Sequence, residues 1–251
     1  MYRKEAKASG ADSRIFSEVL RTVENKVRRD FGELANLQTS RKSSAFASAT
    51  LEYLGEKFCR FFREKRPAYS LHLENYPESW TEDGENSIYI NSLCGVNNFL
   101  HAIPYFATLL ALRKNGEVVF GLVNNYSSGE TFSVSRGEGA FLNGRRIRVS
   151  SRAHGENTLT SVRQDGIGKL SGEIFLKLGS LIVTDCYPLD FCHVACGRHD
   201  ASVVFDGSMD ELELGKLFVT EAGGLHHDFG NGGSVAFGNS SMIDNIRKIL
   251  V

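Results

Sequence analysis

The chain has 251 residues, 41 % hydrophobic and 24 % charged, the balance of a globular protein with a substantial core. Its net charge is -1 and its Lys and Arg are dispersed, so no basic tail or stripe points to nucleic acid as the main ligand. The start, Met1-Tyr2-Arg3-Lys4-Glu5-Ala6-Lys7, lacks the apolar core of a signal peptide, and no apolar run approaches the roughly 20 residues that span a bilayer; a cytoplasmic protein without membrane contact is expected.

Five cysteines, Cys59, Cys94, Cys186, Cys192 and Cys196, are odd in number and show neither a disulfide framework nor a zinc-like Cys-x-x-Cys pair. Reduced thiols and no structural disulfide are expected.

Apolar residues at helical spacing (Ile15, Val19, Leu20, Val23, Val27) predict a first helix over residues 12–29, with Asp12 or Ser13 as cap. A second amphipathic run over 45–62 (Leu51, Leu54, Phe58, Phe61, Phe62) ends before Pro67. Alternation predicts strands over 69–73 and 87–91, separated by a Pro/Gly/acid-rich loop over 75–86. Three β-rich runs follow, over 105–112, 118–123 and 131–135, with hairpin signals at Lys114-Asn115-Gly116 and Ser127-Ser128-Gly129. The second half alternates: strand 158–162, helix 172–178, strand 181–184, helix 189–196, strand 201–205, helix 211–222, and a closing helix over 241–250. Such alternation indicates an α/β layer. One domain over 1–251 is expected, with an N-terminal α+β half (1–150) and a C-terminal α/β half (151–251).

Four segments carry a resemblance. Asn91-Ser92-Leu93-Cys94-Gly95-Val96-Asn97-Asn98-Phe99 resembles the signature Asp-Pro-Leu/Ile-Asp-Gly-Thr-x-Asn-Phe of the inositol monophosphatase family, which includes the bacterial extragenic suppressor protein. Gly137-Glu138-Gly139-Ala140-Phe141-Leu142-Asn143-Gly144 resembles that family's Gly-x-Gly-Ala-x-x-Asn-Gly hairpin. Val194-Ala195-Cys196-Gly197-Arg198-His199-Asp200 resembles its Val-Ala-x-Gly-Arg-x-Asp, and Leu217 to Gly224 its closing helix-turn. The resemblance spans roughly residues 12 to 250 and implies the five-layer αβαβα sandwich of the inositol monophosphatase and fructose-1,6-bisphosphatase superfamily.

It also implies a chemistry. Phosphomonoester hydrolysis of this kind uses Mg²⁺ to stabilise phosphoryl charge and activate water, and Mg²⁺ demands several oxygen ligands. The positions the family uses as ligands fall here on Glu74, Asn91, the carbonyl of Leu93, Cys94 and Glu211, with Asp210 next to the last. Both central carboxylates are gone. Asn91 offers a neutral oxygen, and Cys94 a soft sulfur that suits zinc or copper better than magnesium. Val96 replaces the Thr that, with Glu74, would orient the attacking water; Leu51 replaces a loop Asp; Val204 replaces a sugar-contacting Glu; Asp185-Cys186-Tyr187 replaces a turn of small residues that faces the substrate. Glu74, Asn91, Cys94 and Val96 are thus vestigial catalytic positions.

Other groups have plainer readings beside functional ones. The N–H groups of Gly95 and Val96 at a helix start favour an anion such as phosphate. Cys94 there would become a thiolate, unless burial raised its pKa. Cys192, His193 and Cys196 could form a metal edge or be helix packing; His226-His227 and His101 could be ligands or ordinary polar residues; Arg145-Arg146 reads as a solvated face. The expectation is a family member without Mg²⁺-dependent phosphatase activity and without a cofactor, serving as a binding or regulatory scaffold. The resemblance further implies a homodimer and partners in the transcription machinery. The alternative is an active phosphatase on inositol 1-phosphate or a related sugar phosphate, using Mg²⁺ or an altered metal with Glu74, Glu211 and Asp210.

Overall fold

The computed structural model describes residues 10–36, 43–74, 76, 86–153, 155, 157–163, 177–230 and 233–249. It divides into two compact units, Met1–Thr131 and Phe132–Val251.

The first unit opens with α1 (Gly10–Asn36) and α2 (Ser43–Lys65). Phe16, Val19, Leu20, Val23, Val27 and Leu34 recur at three- and four-residue intervals along α1 and are buried, so its apolar stripe faces the core. The helix outruns its predicted end at Arg29. The sequence pattern is interrupted there by Asp30, yet this carboxylate is buried: it accepts hydrogen bonds from Thr50 of α2, at 2.8 Å, and from Lys26. Asp12, also buried, is held by Arg66 at 3.1 Å and Lys114 at 2.8 Å. Buried carboxylates held by cationic partners fix the helix ends that hydrophobic periodicity does not mark.

Strand β1 (Ser70–Leu73) runs parallel to β2 (Asn86–Cys94), which pairs antiparallel with β3 (Ala107–Lys114) and through it with β4 (Glu117–Asn125). The predicted hairpin between β3 and β4 is present as a two-residue turn, with Asn115 at φ 53° and Gly116 at φ 81°. Two consecutive positive φ values match the twist of the flanking strands, and an Asn-Gly pair adopts them at low strain. The core of this unit is aromatic: Phe16 meets Phe62 and Phe120 edge-on, and Phe31, Phe99 and Phe106 form a second cluster. Strand β5 (Glu130–Ser135), where the first unit passes into the second, pairs antiparallel with β6 (Gly139–Leu142), and β6 with β7 (Arg145–Arg146). Arg145 and Arg146 are exposed.

The second unit alternates strand and helix as predicted: β8 (Leu159–Arg163), β9 (Ser180–Thr184), α4 (Tyr187–Ala195), β10 (Ala201–Val204) and α5 (Met209–Glu221), with α6 (Ser240–Ile249) at the end. The sequence leaves His226-His227 as strand or turn, and the structure makes it a strand, β11 (Leu225–Phe229). Strand β12 (Ser234–Gly238) was not anticipated, being only five residues long beside glycines. The sheet order is β11-β12-β10-β8-β9. The predicted helix over 172–178 and the loop over 75–86 lie largely outside the described residues.

Gly215 in α5 sits against two rings: a Cβ there would lie 2.7 Å from Phe191 and 3.0 Å from Phe237. Both rings are fully buried and cannot swing out. Gly215→Ala is therefore expected to destabilise by about 1–3 kcal/mol despite the better helix propensity of alanine, read from urea unfolding; a gain in stability would show that the rings yield.

Candidate functional site

The sequence around the signature folds as a strand that ends in an irregularity. Strand β2 does not stop at Asn91, where alternation fades, but continues to Cys94 through a register shift between Asn91 and Cys94. Gly95 then caps the five-residue helix α3 (Val96–Leu100) at φ 78° and ψ 46°, a left-handed conformation that glycine adopts without a Cβ penalty. Four residues shared with the family signature have structural work here. Leu93 and Phe99 are buried in the core, Gly95 makes the turn, and the Asn98 side chain donates to the Tyr105 carbonyl at 2.8 Å.

The altered positions behave differently. Asn91 Oδ1 accepts the Leu93 N–H at 3.2 Å, a local turn bond that engages the only oxygen its side chain has. Cys94 is buried, with Sγ 4.0 Å from the Asn91 carbonyl. Behind this turn runs a buried chain in which the Tyr126 hydroxyl donates to Thr108 Oγ1 at 2.9 Å and Thr108 donates to the Ser92 carbonyl at 2.6 Å. Burial pushes the Tyr126 phenol well above its ordinary pKa, so it stays a neutral donor. The anion position expected at Gly95 and Val96 falls at the cap of a helix of five residues, whose dipole is correspondingly short.

In front of the turn, the first unit bears an open cavity of about 420 Å³. Glu74, Asn91, Leu93 and Val96, all singled out in the sequence, line it together with Ser92 and with Leu51 of α2. Glu74 continues β1: its N–H donates to the Ile90 carbonyl at 2.8 Å, and its Oε2 accepts from the Tyr89 hydroxyl at 2.9 Å. Ser48, Glu52, Gly55 and Tyr76 also line the cavity and were not foreseen. The signal for three of them was available, because Ser48, Leu51, Glu52 and Gly55 stand at i, i+3, i+4 and i+7 and so share one face of α2. Tyr76 packs on Gly55 so closely that a Cβ there would lie 2.3 Å from its ring.

Glu211 and Asp210 occupy the first turn of α5 in the second unit, Glu211 only 2 % exposed and Asp210 half-buried. Cys186 caps α4, and its thiol is pushed up by burial first and then by the negative charges of Asp190, Glu211 and Asp185, against a lowering backbone hydrogen bond at Leu189. Tyr187 accepts the Ser208 N–H on its hydroxyl at 3.1 Å and carries the Arg163 guanidinium over its ring at 5.0 Å, tying the α4 start to the α5 cap. Val204 is buried in β10. Cys192 is fully buried with its thiol also raised by burial, and Cys196 donates to the His193 carbonyl at 3.5 Å. His101 caps the end of α3, and His226 lies 3.8 Å from Asp228 across the surface of β11. Among the described residues no disulfide is formed: Cys59, Cys94, Cys186 and Cys192 are buried and Cys196 is half-buried. Among the described residues, no three His, Cys, Asp or Glu side chains are grouped to hold a metal ion, and no helix is long and apolar enough to cross a membrane.

Comparison with known proteins gives one consistent picture. The profile of the inositol monophosphatase family matches residues 88–248. An inositol-1-monophosphatase of Rhizobium meliloti is 31 % identical over 243 residues, which cover 88 % of this chain and 89 % of that protein. The Nus factor SuhB of Pseudomonas aeruginosa is 34 % identical over 179 residues, 65 % of this chain and 66 % of that one. The crystal structure of the extragenic suppressor protein SuhB from Bartonella henselae superposes with a TM-score of 0.83 at 25 % identity, covering 96 % of this chain and 99 % of the other. The α/β fold expected from the sequence is the fold of these neighbours. The chain belongs to the inositol monophosphatase family.

Proposed function

We propose that the chain is a member of this family without Mg²⁺-dependent phosphomonoesterase activity, acting as a binding or regulatory scaffold. The observation that carries this reading is the state of the signature turn. Where the family needs two carboxylates there is an amide whose oxygen holds a backbone N–H and a buried thiol. The donor set does not fit a pair of Mg²⁺ ions. Glu74 is a single carboxylate already accepting from Tyr89, Glu52 is exposed, and a thiol is the wrong partner for a hard cation. Val96 has no group to orient a water.

Binding to a protein partner needs none of these groups. Relatives named Nus factor SuhB support a partner in the transcription machinery, and the family resemblance supports a cytoplasmic homodimer built as one domain over residues 1–251. The names of the inositol-1-monophosphatase relatives favour the second reading, an active enzyme with unorthodox ligands among Glu74, Asp210 and Glu211.

Phosphate release from inositol 1-phosphate with Mg²⁺, measured for this chain and for the double variant Asn91→Asp/Cys94→Asp, separates the two. The proposal expects no release from the native chain above the rate without protein, and gain of release only in the variant. Chelator-sensitive release by the native chain overturns it.

A further inference from the structure

Two buried hydroxyls of the second unit have no hydrogen-bond partner in the protein, those of Ser161 in β8 and Ser202 in β10. The two residues are register partners on adjacent parallel strands, so their side chains leave the same face of the sheet. Followed to either side, this row reads Ile182, Ser161, Ser202, Phe237, with a large side chain at each end and a short one at each middle position. Helix α4 covers the face. Arg163, two residues along β8 from Ser161, lies against the Tyr187 ring; Thr184, two residues along β9 from Ile182, donates to Asp190; and the Phe237 ring meets Phe191 at 6.0 Å. The two hydroxyls therefore point into the layer between sheet and helix, side by side and out of reach of bulk solvent.

We infer that a single internal water molecule lies between Ser161 and Ser202 and bridges their hydroxyls. Neighbouring strands are about 4.8 Å apart, and a water about 2.8 Å from each oxygen spans up to about 5.6 Å, so the bridge fits the register. Each serine hydroxyl can donate and accept, and together the two supply the polar partners that an internal water requires. The depth of the layer beside Ser202 is set by the Phe237 ring on its way to Phe191, and a serine is shorter than phenylalanine by that ring. The energetic reason is the cost of the alternative: each buried hydroxyl left unserved shifts the folding equilibrium against the native state by roughly fivefold or more. The water joins β8 to β10 beneath α4 through side chains, in addition to the backbone ladder.

Magnetic relaxation dispersion of the water oxygen nucleus counts long-lived internal waters and is blind to hydroxyl proton exchange. Between the full native chain and Ser161→Ala/Ser202→Ala the count is expected to fall by one. Urea unfolding gives a second reading whose sign differs between the two cases. With the bridge, Ser161→Ala and Ser202→Ala each take a partner from the water, and each is expected to raise the unfolding constant about fivefold. The double variant is then expected to raise it by less than the product of the two, because the second serine removed has no bridge left to lose. Without the bridge, each alanine removes an orphaned hydroxyl and the unfolding constant falls instead. An unchanged water count, a lowered unfolding constant in the single variants, or a double variant at the full product overturns the proposal.

Discussion

Asp200→Ala is expected to lower the free energy of unfolding by roughly 3–5 kcal/mol. Asp200 is buried, and its carboxylate accepts from three donors: Arg152 Nε at 2.8 Å, the Leu159 N–H at 2.8 Å, and the Ser150 hydroxyl. Its own N–H donates to the Leu159 carbonyl, which fixes the start of β10 beside β8. The network reaches further. Asn239 donates to Ser150 Oγ at 3.0 Å and to the Arg152 carbonyl at 2.9 Å, while its Oδ1 accepts the Met242 N–H and so caps α6. Alanine leaves the Leu159 and Ser150 donors without their acceptor. Arg152 is partly exposed and can turn to water, which holds the loss near that of the hydrogen bonds. Asp200→Asn keeps the shape and one of the two acceptor oxygens, but sets an NH₂ against the donor that the other oxygen served, and is expected to cost less than alanine, about 1–3 kcal/mol. Urea unfolding of the two variants measures both numbers; a loss below 1 kcal/mol for alanine, at an unchanged denaturant slope, would deny the network its role.

Stability is also expected to fall by about 3 kcal/mol between pH 6.5 and pH 4 through one residue, His199. The ring is 5 % exposed and its Nδ1 is buried with no hydrogen-bond partner. Burial holds its pKa down to about 4 from 6.5; the neighbouring Asp200 pulls it back up and Arg198 pushes it further down. The ring of His193 stands edge-on at 5.0 Å. In this pH window the native state keeps the imidazole neutral while the unfolded chain takes up a proton, so the unfolded state binds more protons and stability drops as pH falls. At about 1.4 kcal/mol per pKa unit, the shift from 6.5 to about 4 gives the stated total, and the effect saturates below pH 4, where both states are protonated. Carboxylates contribute their own slope at the acid end, so the test is a difference. His199→Gln removes the titration, and its urea midpoint should lose about 3 kcal/mol less than that of the native chain between pH 7 and pH 4. Parallel pH profiles for the two chains would rule the mechanism out.

Much of the fold was legible because its signals are local. Helix α1, helix α2 and the β3–β4 hairpin follow from spacing and from the pair Asn115-Gly116. What escaped was written in tertiary partners. Asp30 reads as a helix-ending charge until Thr50 is brought to it from 20 residues away. His226-His227 reads equally as strand or turn until β12 pairs with it. At the site, the substitutions at Asn91, Cys94 and Val96 were plain in one dimension, since each replaces a residue type that the chemistry requires. Tyr76 was not, because nothing in its own segment says that it shares a cavity with Asn91, whereas Glu52 could have been found from the face of α2 that it shares with Leu51. The sequence also put Cys94 at a helix start, with two opposite consequences for its thiol; the structure instead ends β2 at this residue and buries it.

The two sheets differ in the order along the chain in which their strands pair. From β2 to β4 each strand lies beside its predecessor, and a two-residue turn joins β3 to β4, so that pairing closes a very short loop. In the five-stranded sheet β10 lies between β8 and β12, and β8 pairs with β10 only after β9 and α4 have intervened. Closing longer loops costs more chain entropy before any contact is gained, and pairings between distant segments form more slowly. The hairpin beside the signature turn is thus among the parts of the chain best able to form early, and the turn that has lost the family's carboxylates is carried on the adjoining strand.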